Sequence, residues 1–175
     1  MKELYKTIFS DALIEPSEIT KIKNFVSGLG LNKKYIEADT AIANKVIEIQ
    51  YSIRPPLLAI EMHREELIAK EKLFLTATAT ILKRKARLHA RGGYVLEKVR
   101  EGKLLITSSR LLVIEDGVSV VKYKNILNIS VDYYKNMIFI TKDKGTYPVY
   151  IQCSDVFRSY RALDLAYKEF LDISN

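Results

Sequence analysis

The stretch at residues 102–121, GKLLITSSRLLVIEDGVSVV, decides the fold. Leu104, Leu105 and Ile106 form an apolar run that breaks at Thr107, Ser108 and Ser109 and resumes over 111–114. Asp116-Gly117 then closes a hairpin, because both residues tolerate the positive φ of a tight turn. Residues 118–123 supply the return strand. Short apolar runs bounded by turn residues are the mark of strands rather than helices.

Downstream, the same pattern predicts strands over 128–132, 137–142 and 147–152, with turns at 134–136 and 143–145. Ser154 is the expected cap of a closing helix. Along that helix Val156, Tyr160, Leu163, Tyr167 and Phe170 recur by three and four on one face, while Arg158, Arg161 and Lys168 fall toward water. Upstream, a strand is expected over 94–99. Before it, Leu73, Leu75, Ala77, Ala79 and Ile81 alternate with Phe74, Thr76, Thr78, Thr80 and Leu82, as in a half-exposed strand. Gly92-Gly93 turns the chain between these two strands. Short strands at regular spacing, closed by a helix, predict a small antiparallel barrel or sandwich over 73–175.

Residues 1–72 read differently. Helical periodicity runs over 2–13, and Pro16 opens a second helix that Gly30 ends. Asn32 caps a third, with Ile36, Ile42, Val46, Ile49 and Ile53 along it, stopped by Pro55-Pro56. A fourth helix is expected over 57–70. The sequence therefore predicts an α+β protein: an N-terminal all-α helical bundle, then a β domain with a C-terminal helix.

The chain has 175 residues, 48% of them hydrophobic and 28% charged, which is globular composition with room for one domain or two small ones. No apolar run reaches the ~18 residues of a spanning helix, and acidic residues interrupt the N-terminus, so the expected location is the cytoplasm. Cys153 is the single cysteine, which leaves neither a disulfide framework nor a cysteine metal cluster. Basic and acidic residues balance through residue 72, so the whole net charge of +7 lies beyond it. That asymmetry suggests an acidic partner for the second part.

The excess is densest between residues 83 and 103, where Lys83, Arg84, Lys85, Arg87, Arg91, Lys98, Arg100 and Lys103 face only Glu97 and Glu101. Alternation sets Lys83, Lys85 and Arg87 on one face of a strand and Arg84 on the other. Two readings stand. A row of cations attracts anionic headgroups at ~1 kcal/mol each near a membrane, and lysines also guard an exposed sheet edge against aggregation.

Two resemblances accompany this reading. Over the first 50 residues, FSDALIEPSEITKIKNFVSGLGL resembles the helix-turn-helix unit of TerB-like (tellurite-resistance type) domains, with Asp11, Ile14, Glu18 and Leu29-Gly30-Leu31 in matching positions. Ser10 and Ala12 depart from that pattern. The resemblance implies Asp11 and Glu18 as metal ligands, but lone carboxylates more often cap helices, and the loop lacks closely spaced oxygen ligands. No metal or cofactor is expected.

From about residue 71 the chain resembles the bacterial PH and GRAM-like branch of the pleckstrin-homology superfold. The resemblance rests on Glu71, Lys72 and Ala79, on G-K-L-x-I-T-x-x-R-L at 102–111, on KNILNIS at 124–130 and on Tyr147-Pro148-Val149-Tyr150. It implies seven strands and a closing helix. Eukaryotic members usually carry a Trp in that helix; this chain has none. In phosphoinositide-binding members a K-x-R clamp lies at the first strand pair, and Lys85-Ala86-Arg87 has that form. Thr107 and Arg110 read as scaffold, since an arginine can fork onto carbonyls or a carboxylate.

His63 and His89 stand in charged stretches without a nucleophile motif or a phosphate-cradling loop. The expected function is non-enzymatic: a cytoplasmic interaction module docking on anionic membrane lipid, at the inner membrane face, or on a protein partner. The alternatives are nucleic-acid binding through the same cations, with Tyr94 the only aromatic among them, and self-assembly into a scaffold.

Overall fold

The computed structural model describes residues 17, 20, 21, 24, 28, 33–60, 67, 68, 70–86, 94–115, 117–144 and 147–174. The chain divides into two units, Met1–Arg54 and Pro55–Asn175.

In the first unit, helix α1 spans Lys33–Ser52 and buries Ala43, Val46 and Ile49, a three-residue rhythm along one side. Its last turn closes where the Ile53 N–H donates to the Ile49 carbonyl at 2.8 Å. Pro55 and Pro56, which have no N–H to offer, follow at once.

The second unit is one antiparallel sheet. Its strands are β1 (Leu73–Ala86), β2 (Tyr94–Thr107), β3 (Arg110–Ile114), β4 (Val118–Lys122), β5 (Ile126–Asp132), β6 (Met137–Lys142) and β7 (Val149–Cys153). They lie in the order β4-β3-β2-β1-β7-β6-β5. The two edge strands are consecutive in sequence, joined by a 3-10 turn at Tyr123–Asn125. Three residues span only ~10 Å, so the sheet curls until its edges approach at that corner.

Helix α2 (Val156–Ser174) covers the concave face. Val156 and Leu163 are buried, and Tyr160, Tyr167 and Phe170 pack on the same core, with Leu104, Ile106, Leu111, Val113, Ile138, Ile140 and Ile151 from the strands. Tyr123 fixes the corner to this helix. Its ring meets Tyr167 and Phe170 edge-on at 5.9 and 5.8 Å, and its hydroxyl donates to the Thr107 carbonyl at 2.9 Å. Burial pushes its phenol far above the ordinary range.

Leu73, Leu105 and Leu112 form a second, smaller core on the opposite face, with Leu67 and Ile114 packed against it. This explains the uninterrupted apolar runs of 104–106 and 111–113: a strand covered on both faces has no polar side to alternate with.

Several expectations are corrected. No N-terminal all-α bundle is seen among the described residues, and the β part is a single seven-stranded sheet. The fourth helix expected over 57–70 is absent at 57–60, where the backbone is irregular. The Leu57 N–H donates instead to Glu169 on α2 at 2.9 Å, and the Ile60 N–H to the Leu73 carbonyl at 2.7 Å. Leu67 lies on the outer core. Leu57 packs on the main core, so the described residues at this end serve as cover for the sheet rather than as helix. The cap of α2 is Asp155 rather than Ser154: its carboxylate accepts the Arg158 N–H at 3.1 Å. Arg161 is buried, not solvated, and faces Asp164 at 3.9 Å. The expected helix over 2–13 and the metal candidates Asp11 and Glu18 lie outside the described residues.

Candidate functional site

β1 and β2 are the longest strands, 14 residues each, and they pair from Leu73↔Thr107 to Ala86↔Tyr94. Their other neighbours stop short. β7 pairs with β1 only as far as Leu82, and β3 pairs with β2 only from Lys103 onward. Beyond Leu82 the hairpin continues as a two-stranded ribbon, through Lys83↔Glu97, Arg84↔Leu96, Lys85↔Val95 and Ala86↔Tyr94. A bare ribbon gains little from burial.

The basic residues divide along this hairpin. Lys83, Arg84 and Lys85 stand on the ribbon, whereas Lys98, Arg100 and Lys103 pair at or below its base, opposite Leu82, Ile81 and Thr78. Arg87 and Arg91 lie outside the described residues. The cations also divide between faces. Ala77, Ala79 and Ile81 point to the main core, so alternation carries Lys83 and Lys85 onto that same side and Arg84 onto the other. The register shift at Val99 places Arg100 opposite Ile81 on the core side and leaves Lys98 and Lys103 on the outer one. The eight cations thus do not form one face.

Their partners differ as well. Lys85 bridges Glu97 at 3.0 Å, and Lys98 pairs with Glu101, whose hydrogen bond raises the ammonium pKa. Both pairs are exposed, where solvent screens an ion pair and lets it exchange easily. Arg84 lies over two rings, 3.9 Å from the Tyr94 centroid and 5.0 Å from that of Tyr147. Tyr147 comes from the connection before β7. Sequence reading missed it, since nothing links positions 63 residues apart but the fold.

At the opposite end of the hairpin the motif residues Glu71, Thr107 and Arg110 meet. Glu71 is 3% exposed in its side chain and Arg110 13%. Arg110 donates from Nε at 2.9 Å and from Nη2 at 2.8 Å, the Thr107 and Ser109 hydroxyls each donate at 2.6 Å, and the Ile68 N–H at 3.0 Å. Burial alone would raise the Glu71 carboxyl; the Arg110, Ser109, Thr107 and Ile68 donors outweigh it and hold the pKa at about 2. Thr107 Oγ1 also accepts the Ser109 and Arg110 N–H groups, closing the β2–β3 turn. With every strong donor answered, this cluster is a clasp.

Burial pushes the Cys153 thiol up to about 11, which keeps it protonated and unreactive at neutral pH. His63 and His89 lie outside the described residues. Among those described, no three His, Cys, Asp or Glu side chains gather as a metal set, and no helix is long and apolar enough to cross a membrane.

No protein-family model matches the chain, and no curated protein matches it. The TerB-like and GRAM-like resemblances therefore find no family match. Several solved structures are similar at a low level, among them these two. The C-terminal domain of an unknown protein from Leishmania infantum is 18% identical with a TM-score of 0.40, over 57% of this chain and 87% of that one. The N-terminally truncated linker-DH/PH domains of p115-RhoGEF are 12% identical with a TM-score of 0.39, over 79% of this chain and 44% of that one.

Proposed function

We propose that the second unit is a non-enzymatic, PH-like binding module that docks on an anionic membrane surface through the ribbon of its β1–β2 hairpin. The PH-like reading draws on the seven antiparallel strands followed by one closing helix, together with the motif residues that meet in the clasp. The observation that carries the docking function is where the cations stand. Lys83, Arg84 and Lys85 occupy the outer end of β1, past its last β7 partner at Leu82 and past the reach of β3 along β2, where the hairpin has no strand on either side.

Edge protection accounts for a lysine or two on a free edge. It leaves unexplained the density of cations here: Lys83, Arg84 and Lys85 face Glu97 on a ribbon whose described residues contribute to neither core, within a stretch, 83–103, whose excess is six positive charges. At ~1 kcal/mol per basic residue near an anionic surface, such an excess suffices for salt-sensitive peripheral attachment.

The test is co-sedimentation of the full chain with phosphatidylcholine vesicles, with and without phosphatidylserine, at low and moderate salt. Wild-type protein is expected to pellet only with the anionic vesicles and to be released as salt rises. The double variant Lys83→Glu, Lys85→Glu is expected to stay in the supernatant. Failure of wild-type protein to pellet at low salt would discard the membrane reading.

A further inference from the structure

We infer that the hairpin meets the membrane tip first, with Tyr94 and Tyr147 entering the headgroup region together with Arg84. This rests on the docking function just proposed and adds an orientation and an insertion surface to it.

The split of cations between two faces sets the orientation. A sheet lying flat on a bilayer would present Lys83 and Lys85, or Arg84, but never all three. Only an end-on approach brings both faces of the ribbon within reach of the phosphates. The two tyrosines mark the same end. Tyr94 is the first residue of β2, paired at the ribbon's outermost described step, and is 46% exposed. Tyr147 is 54% exposed and is held at this end by the Arg84 contact.

The chemistry of the cluster suits a bilayer interface. A tyrosine ring has an apolar body and a polar tip, and it settles at headgroup level with its hydroxyl toward water. An arginine held over aromatic rings is weakly hydrated, so carrying it into that layer costs little, and its guanidinium can still fork onto a phosphate. Lys83 and Lys85 stand on the other face of the ribbon, and their long stems let the charges reach an anionic surface. In solution the Arg84–Tyr147 contact braces a ribbon that few packing contacts support. On the membrane the same residues become the anchor.

The protein contains no tryptophan, so single substitutions give unambiguous fluorescent reporters. Tyr94→Trp, Tyr147→Trp and, as a control, Tyr134→Trp are compared in the full chain. Tyr134 is 66% exposed in the turn between β5 and β6, away from the ribbon. Each variant is titrated with phosphatidylcholine–phosphatidylserine vesicles whose acyl chains carry bromine, and pelleting is measured in parallel. The expected result is a blue shift and quenching of emission for Tyr94→Trp and Tyr147→Trp, with no change for Tyr134→Trp. Pelleting without quenching at 94 and 147 would overturn tip-first insertion while leaving electrostatic docking in place. Quenching at 134 instead would reverse the orientation. No pelleting at low salt removes both, and an emission change with a single-stranded oligonucleotide in its place would assign the aromatic–cation cluster to nucleic acid.

Discussion

One hairpin contains two unlike ends. At the root, Leu104 to Thr107 of β2 are buried on both faces, and Glu71 is locked by Arg110, Thr107 and Ser109. At the tip, the same two strands have lost every other neighbour and carry the exposed Lys83 and Lys85 and the half-buried Arg84. The β1–β2 pairing carries on to both ends across the register shift at Val99, so strand pairing itself does not distinguish them. Covering does: the root has α2 on one side and the segment with Leu67 on the other, and the tip has neither. Stability is concentrated at the root, which leaves the tip free to be charged.

The sharpest way to break this contrast is Glu71→Ala. It leaves the Arg110 guanidinium nearly buried without its carboxylate, and losing one partner of a buried pair costs roughly 3 to 5 kcal/mol. Urea denaturation reads this as a lower midpoint. The same clasp has a pH signature. Glu71 sits at about 2 when folded, against an ordinary glutamate value of 4.5, so its stabilisation is complete above the unfolded value and is lost as pH falls toward 2. Urea midpoints between pH 5 and pH 2 are expected to fall for the native protein, and to fall less steeply for Glu71→Gln.

A second root substitution has a smaller effect by another route. A Cβ placed on Gly102 would stand 2.1 Å from the Ile114 carbonyl oxygen, on the neighbouring β3 backbone. Gly102→Ala forces those strands apart, at a cost of about 1–3 kcal/mol for overpacking. At the tip the same denaturation experiment should show almost nothing. Lys83→Glu, Lys85→Glu changes exposed residues that support no core, and a shift within about 0.5 kcal/mol is expected. A large loss of stability there would show that the ribbon is structural and that root and tip are not separate in kind.

How far the sequence foretold this division depends on the range of the signal. The strands around 102–121 were legible because apolar runs and an Asp-Gly turn are local. Arg110 forking onto a carboxylate was legible as a type of contact, but Glu71 as that carboxylate was not, since 39 residues separate them. Residues 57–60 were misread because the run that follows them is rich in helix formers, while the fold uses Leu57 and Leu67 as cover for its two cores. The cations were counted along the chain, and a count does not know about faces. The register shift at Val99 and the arrival of Tyr147 beside Arg84 depend on pairings that no periodicity encodes.

The finest test of the contrast lies in cations that share the count but not the place. Lys103 pairs with Thr78, five residues rootward of Lys83 on β1, or about 17 Å at the rise of an extended strand. The Debye length at physiological ionic strength is about 8 Å, so a surface touching the tip is screened from Lys103 across two such lengths. If docking is end-on, Lys103→Glu changes vesicle affinity little at physiological salt, although it alters net charge as much as Lys83→Glu does. The two single variants, titrated side by side against anionic vesicles, separate position from charge. Equal losses would mean that the membrane senses the whole second unit as a diffuse cation, and a loss confined to Lys83→Glu would fix the contact at the ribbon.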